Sequence, residues 1–446
     1  MKMIRGRLRA VVLMGAVLAF AAGAKAQNPN SNDNPSRQDN PSWKDNPSGQ
    51  GNPWPYATTG RSPVLAVVGD VACQPGETEP SGEKAKENCV GDTAQNLYAS
   101  MAATAKQIEN MKPDLVALVG DEQYQVGQYS DFENSYEMTY GGFKFITRPA
   151  PGNHEFYNEH GAIGVAGYGY FSYFNGVQHN ADGTTMTATI TGIPDTDGTF
   201  TQPVPYSDGQ AGHFEQTGGV GSNSTPGGTV GVGDGWYSYN LGAWHIISLN
   251  VECETQPGGC SPTGSWFAAE LEWLKNDLAA NHSQCTAAYW HQPSFSAVGS
   301  VTLPEGQTAL AFWKLLYQHG ADLVLNGHDH LYARYRPLDP SGNYDPKKGI
   351  REFIVGTGGE TLDAVVYTTA PSTDGADAAD LGGQDNFNAV NIEAATGQFW
   401  GVMGLTLNQN GYAWDFESAL KDPAQTTGPA SYSDKGVGTC HGPVNR

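Results

Sequence analysis

Short apolar runs in this chain break off, again and again, into aspartate, asparagine or histidine. The run 64–68 ends in Gly69-Asp70, the run 115–119 in Gly120-Asp121, and 143–148 leads to Pro151-Gly152-Asn153-His154. Farther on, 286–290 delivers His291, and 322–325 delivers Asn326-Gly327-His328 with His330 two residues later. Between these runs lie stretches of helical spacing: 93–111 (Leu97, Met101, Ala105, Ile108, stopped by Pro113), 266–280 (Phe267, Leu271, Leu274, Leu278) and 308–319. The apolar runs are too short for core helices and read as buried strands. Residues 236–250 hold two more strand-like runs broken by Gly242; 353–355 and 402–407 complete the regular elements, with 412–416 as a hairpin return. Strand alternating with helix predicts an α/β architecture. In such a sheet the carboxyl ends of the strands share one rim, where ligands gather. Oxygen and imidazole groups scattered from position 70 to position 330 would therefore meet in one place.

Composition narrows the partners. Asp and Glu number 46 against 24 Lys and Arg, a net charge of −22, which leaves no basic surplus to displace phosphate counterions. Nucleic-acid binding is not expected. With 57 Gly and 27 Pro among 446 residues, a long helical bundle or coiled coil is excluded and long loops must be numerous. Lys2, Arg5, Arg7 and Arg9 precede an apolar run from Ala10 to Gly23 and an Ala24-Lys25-Ala26 cleavage site. Residues 1–26 read as a signal peptide, the apolar run being shorter than the roughly 20 residues a membrane span needs. No other stretch is long enough, so a secreted or periplasmic location and no membrane span are expected. Residues 27–60 repeat Asp-Asn-Pro-Ser at 33, 39 and 45 and read as a disordered linker. The six cysteines suit an oxidising compartment; Cys73 and Cys89 are the expected disulfide, and the rest stay open. Oligomeric state is not legible.

The polar groups after the strands include two Asp (Asp70, Asp121), one Asn (Asn153), one Tyr (Tyr124) and three His (His291, His328, His330). If one carboxylate bridges, they serve two metal ions with four contacts each. Two ions about 3.5–4 Å apart polarise a phosphoryl oxygen and generate hydroxide at ordinary pH. Alone, each piece has a plainer explanation. A Gly-Asp is usually only a strand-to-helix turn, a single His a core residue, a single Tyr a packed ring. Gly152-Asn153-His154-Glu155 and Gly327-His328-Asp329-His330 carry more weight, and the order of all the motifs carries most.

That order resembles the calcineurin-like metallophosphoesterase superfamily, and within it the purple acid phosphatases and their bacterial secreted relatives, over about residues 61–418. The resemblance implies a four-layer αββα sandwich of two mixed β-sheets, in one catalytic domain over 61–446; residues 176–235 and 360–398, rich in small and polar residues with little periodicity, read as long loop insertions in it. The first insertion is either a lid or a solvated loop. Most members place a metal-binding His two residues after the first Asp, where this chain has Ala72; the purple branch uses instead a Tyr three after the second Asp, which is Tyr124 here. By resemblance one metal, Fe(III), takes Asp70, Tyr124, His330 and bridging Asp121. A divalent Fe, Zn or Mn takes Asp121, Asn153, His291 and His328. His154 would be the catalytic acid, and Glu155 either orients its motif or has no chemical part. Bacterial relatives often follow the His291 position with a His and an Arg, where this chain has Gln292 and Ser294. The implied activity is hydrolysis of a small phosphate monoester by metal-bound hydroxide, of acid-phosphatase type. The alternatives are a phosphodiesterase acting on nucleotides or phospholipid headgroups, and a non-catalytic surface-binding protein on the same scaffold.

Overall fold

The computed structural model describes residues 61–72, 98–128, 131–157, 167–175, 235–298 apart from 255 and 257, 304–365 and 391–442. The expected signal peptide, the 27–60 repeats, the Cys73–Cys89 pair and nearly all of the 176–235 insertion lie outside the described residues.

Thirteen strands form two mixed sheets among the described residues. In chain order they are β1 (Val64–Val68), β2 (Leu115–Val119), β3 (Thr147–Ala150), β4 (Tyr237–Leu241), β5 (Trp244–Ser248), β6 (Cys285–Tyr289) and β7 (Leu323–Asn326). There follow β8 (Tyr332–Tyr335), β9 (Arg351–Val355), β10 (Ile392–Thr396), β11 (Phe399–Asn408), β12 (Gly411–Lys421) and β13 (Ser433–Thr439). One sheet runs β13-β12-β11-β1-β2-β3, the other β10-β8-β9-β7-β6-β5-β4. The first has a parallel half, β1 to β2 to β3, and an antiparallel half built on β11. In the second, β5, β6, β7 and β9 are parallel, with β4 and β8 antiparallel beside them.

Alternation along the second sheet sends neighbouring side chains to two cores. Leu323, Leu325, Phe353 and Val355 face the first sheet. Val324 and Ile354 face the other way, into a core with Phe267 and Leu274 of the helix Ser265–Ala280 and Phe312, Trp313 and Leu316 of the helix Pro304–Gln318. Both faces are buried, which is why these strands read as continuous apolar runs. Met101, Ala105 and Ile108 of the helix Tyr98–Met111 pack against the first sheet. The layers are therefore helix, sheet, sheet, helix, as expected.

Three expectations shift. The run 143–148 is not one strand: Tyr140–Ile146 is a 3₁₀ segment and the strand starts at Thr147. Tyr136, Tyr140, Phe143 and Ile146 are all buried, and their spacing of four, three and three is helical, not alternating. The 360–398 insertion is not loop throughout, since β10 occupies residues 392–396 at a sheet edge. Regular structure also goes beyond the expected list: β8, β13 and the helix Tyr168–Asn175 are added. Two disulfides that the spacing left open are Cys253–Cys260 and Cys285–Cys440. The second ties the start of β6 to the residue after β13, and so joins one sheet to the other. Among the described residues no helix is long and apolar enough to cross a membrane.

Candidate metal centre

Five of the seven parallel strands deliver the expected site residues, from their carboxyl ends, to a common rim. Asp70 follows β1, Asp121 and Tyr124 follow β2, and Asn153 and His154 follow β3; His291 follows β6, and His328 and His330 follow β7. The turns are sharp. Asp70, Asp121 and His328 have φ of 59°, 49° and 67°, in the left-handed region that non-glycine residues rarely enter. Such strain persists where the surroundings over-determine it, most often at functional sites. The preceding glycines are required by close approach. A Cβ on Gly120 would lie 2.3 Å from His291 Nδ1, and one on Gly152 would lie 2.2 Å from Asp121 Oδ1.

All seven side chains expected to bind metal lie in this rim. Two groups, Asp70 with Asp121 and His330, and Asp121 with His291 and His328, each bring one ligand atom per residue within 4.8 Å of the others, and Asp121 belongs to both. The Tyr124 hydroxyl lies 2.9 Å from Asp70 Oδ1, 3.0 Å from Asp121 Oδ2 and 2.9 Å from His330 Nε2. His291 Nε2 is 2.9 Å from Asp121 Oδ2. Asn153 Oδ1 is 3.1 Å from His328 Nδ1, which is 3.3 Å from His291 Nε2. The inward atom of two of the rings is fixed by what the rest of the ring touches: His291 Nδ1 meets Val119 O at 3.0 Å and His330 Nδ1 meets Thr361 O at 2.7 Å. Ligating histidines are oriented in this way by their second nitrogen.

The buried carboxylates dominate the electrostatics of the centre. Burial works against charge on His291 and His330, yet Asp121 and Asp70 outweigh it and lift each imidazole to about 10. Burial, followed by repulsion from His291, pushes His328 down to about 3. Burial, then Asp121 and Asp70, hold the Tyr124 hydroxyl well above its usual range. Carboxylates, imidazoles and a phenol packed this closely compete for protons, and a hard oxygen-and-nitrogen donor set of this kind fits transition metals. The residues present therefore fit two metal ions.

His154 stands beside this set. Its Nδ1 is 2.6 Å from Gln125 O, which leaves Nε2 facing inward, 3.9 Å from Asp121 Oδ2. Its ring is 4.2 Å from that of Tyr124. Glu155 has a definite structural part: its carboxylate accepts from the backbone N–H of Asp121 (3.1 Å), Gln123 (3.0 Å) and Gly152 (2.9 Å). It thus clamps the loop after β2 to the loop after β3. Gln292 Nε2 reaches toward Asn153 Oδ1 at 3.5 Å, and Ser294 is buried.

Sequence reasoning missed the supports on two further strands. After β9, Thr361 O and Asp363 Oδ2 hold the ring and backbone of His330. Glu360 there and Glu252 after β5 add to the negative potential at His330 and His291. Each follows a parallel strand, the same signal that found the ligands, but no apolar run there ended in a His or an isolated Asp.

The chain belongs to the calcineurin-like phosphoesterase family, whose profile matches residues 64–332. It is 32% identical over 115 residues to purple acid phosphatase 15 of Arabidopsis thaliana, covering 24% of this chain and 20% of that one. It is 27% identical over 130 residues to acid phosphatase A of Cryphonectria parasitica, covering 25% of each. With the acid phosphatase of Aspergillus ficuum it shares 28% over 155 residues, 26% of this chain and 24% of the relative. The matches span about a fifth to a quarter of these curated relatives. Among solved structures, the purple acid phosphatase PPD1 from yellow lupin seeds aligns at a TM-score of 0.46 and 16% identity, covering 85% of this chain and 55% of that one.

Proposed function

We propose that this protein is an exported phosphoesterase of acid-phosphatase type, acting on small phosphate monoesters at a centre of two metal ions. One observation carries the reading: Asp121 Oδ2 lies within 3.0 Å of both Tyr124 Oη and His291 Nε2, so a single carboxylate serves two adjoining donor groups. Asp70, Tyr124 and His330 with Asp121 would hold the first ion, Fe(III) by its phenolate ligand. Asn153, His291 and His328 with Asp121 would hold the second, a divalent Fe, Zn or Mn. Bound there, the ions supply Lewis acidity and a nucleophile at ordinary pH. His154 does the remaining work, with Nδ1 anchored on Gln125 O and Nε2 free to give a proton to the departing oxygen. Glu155 keeps the two loops that carry Asp121 and His154 in register. Two disulfides among the described residues support export to an oxidising compartment.

The test is steady-state hydrolysis by iron- and zinc-loaded protein of phenyl phosphate against its diester, diphenyl phosphate, across pH. A higher kcat/KM for the monoester supports the reading. Preference for the diester reverses it in favour of a phosphodiesterase, and metal binding without turnover of either marks a surface-binding protein.

A further inference from the structure

Tyr157 is one of three large apolar side chains left exposed among the described residues, with 47% of its surface open. The other two are spoken for by their surroundings: Tyr344 lies under the Arg336 guanidinium, and Val437 is on the edge strand β13. Tyr157 is instead engaged at the candidate centre. It directly follows the short helix Asn153–Phe156, and its hydroxyl accepts from Asn153 Nδ2 at 2.7 Å. Its ring meets the His154 ring edge-on, with centroids 4.7 Å apart and planes at 61°. His154 is therefore held between two tyrosines, the buried Tyr124 on the inner side and the exposed Tyr157 on the outer.

That arrangement says what departs past the acid. A general acid must come within hydrogen-bond reach of the oxygen it protonates. The first atoms of the leaving group consequently lie against His154, and the solvent side of that position is walled by Tyr157. Aromatic rings pair favourably at centroid separations of about 4.5–7 Å. A ring bonded directly to the leaving oxygen is the substrate part that such a pairing selects. A simple alkyl group offers no face to pair, and the base of a nucleotide is set a sugar farther from the oxygen that His154 protonates.

We infer that Tyr157 is a specificity-determining residue that selects aryl phosphates, in which the phosphate sits on a phenolic oxygen as in a tyrosine phosphate side chain. The inference rests on the phosphoesterase reading above. In the reaction water adds to phosphorus and the bond from phosphorus to the phenolic oxygen breaks. His154 gives its proton to that oxygen, and a proton from the water goes to solvent, so that phenol and inorganic phosphate result.

The experiment compares wild type with Tyr157→Leu, Tyr157→Phe and Tyr157→Trp by two ratios. One is the affinity for phenylphosphonate over methylphosphonate by calorimetry, which needs no turnover. The other is kcat/KM for phenyl phosphate over glycerol phosphate. Tyr157→Leu should lower both ratios about 2- to 10-fold, the range expected for one aromatic pair, while Tyr157→Phe and Tyr157→Trp keep them. Ratios unchanged within twofold in Tyr157→Leu overturn the assignment. So does an equal fall for adenosine 5′-phosphate, which would put a base on the ring. If wild type hydrolyses no phosphoester the enzymatic reading fails, and the phosphonate ratio still decides the role of Tyr157 by itself.

Discussion

Replacing Glu155 with glutamine removes one oxygen atom and should still be felt through the whole centre. The carboxylate spreads three amide donors over two oxygens, with Oε2 taking Asp121 N and Gly152 N and Oε1 taking Gln123 N. Glutamine has one carbonyl oxygen. Whichever way its amide turns, the NH₂ end faces at least one backbone N–H, so a buried donor is left without an acceptor. Orphaning one such group costs about 1–3 kcal/mol. Glu155 is only 3% exposed, so water cannot readily stand in. The loss should appear in urea unfolding as a lower midpoint at an unchanged slope. Because the freed loop carries Asp121, the affinity for both metal ions should fall together by about 10- to 100-fold, the usual effect of losing a group behind the ligands. A Glu155→Gln protein within about 0.5 kcal/mol of wild type, with both metal affinities intact, would show that Glu155 is not the clamp.

His154→Ala should lower kcat by about 10²–10⁴-fold, the worth of a positioned acid, with metal content unchanged; loss of an ion would make His154 a ligand instead. Cys285→Ser opens a bridge across 155 residues, and unfolding in denaturant should show a loss of about 2–5 kcal/mol; no loss would mean the sheets need no staple. His441, near the chain end, has its pKa raised by its hydrogen bond to Asp322, at 3.2 Å. A raised folded-state pKa gives stability that is complete below the unfolded value of about 6.5 and disappears as pH climbs through the folded one. Wild type should therefore melt above His441→Gln at pH 5.5 and level with it at pH 9, whereas a constant gap would rule out titration of His441.

The parts of the fold that lie between layers were legible, since β1, β2, β6 and β7 are buried at nearly every position and their sequences are almost continuous apolar runs. The ligands were legible for a related reason: a polar residue that ends such a run must sit at a strand's carboxyl end. What escaped had weaker patterns. Ser433–Thr439 of β13 alternates exposed with half-buried positions at a sheet edge and contains one large apolar residue, Val437. Residues 132–146 are rich in aromatic side chains that suit strand and helix alike, and only the spacing of Tyr136, Tyr140 and Phe143 separates the two. Tyr157 was invisible because its meaning lies in two contacts, with Asn153 and His154, that spacing alone does not reveal. Glu155 was left open for the same reason, its partners being backbone amides on two different loops.

Elemental analysis of the purified protein beside an Asp121→Ala variant bears most directly on the shared centre. Asp121 is common to both donor groups. Wild type should carry two ions per chain, and the variant should lose both in parallel. A single ion in wild type, or a variant that keeps one ion at full occupancy, would contradict a centre of two metals joined through Asp121.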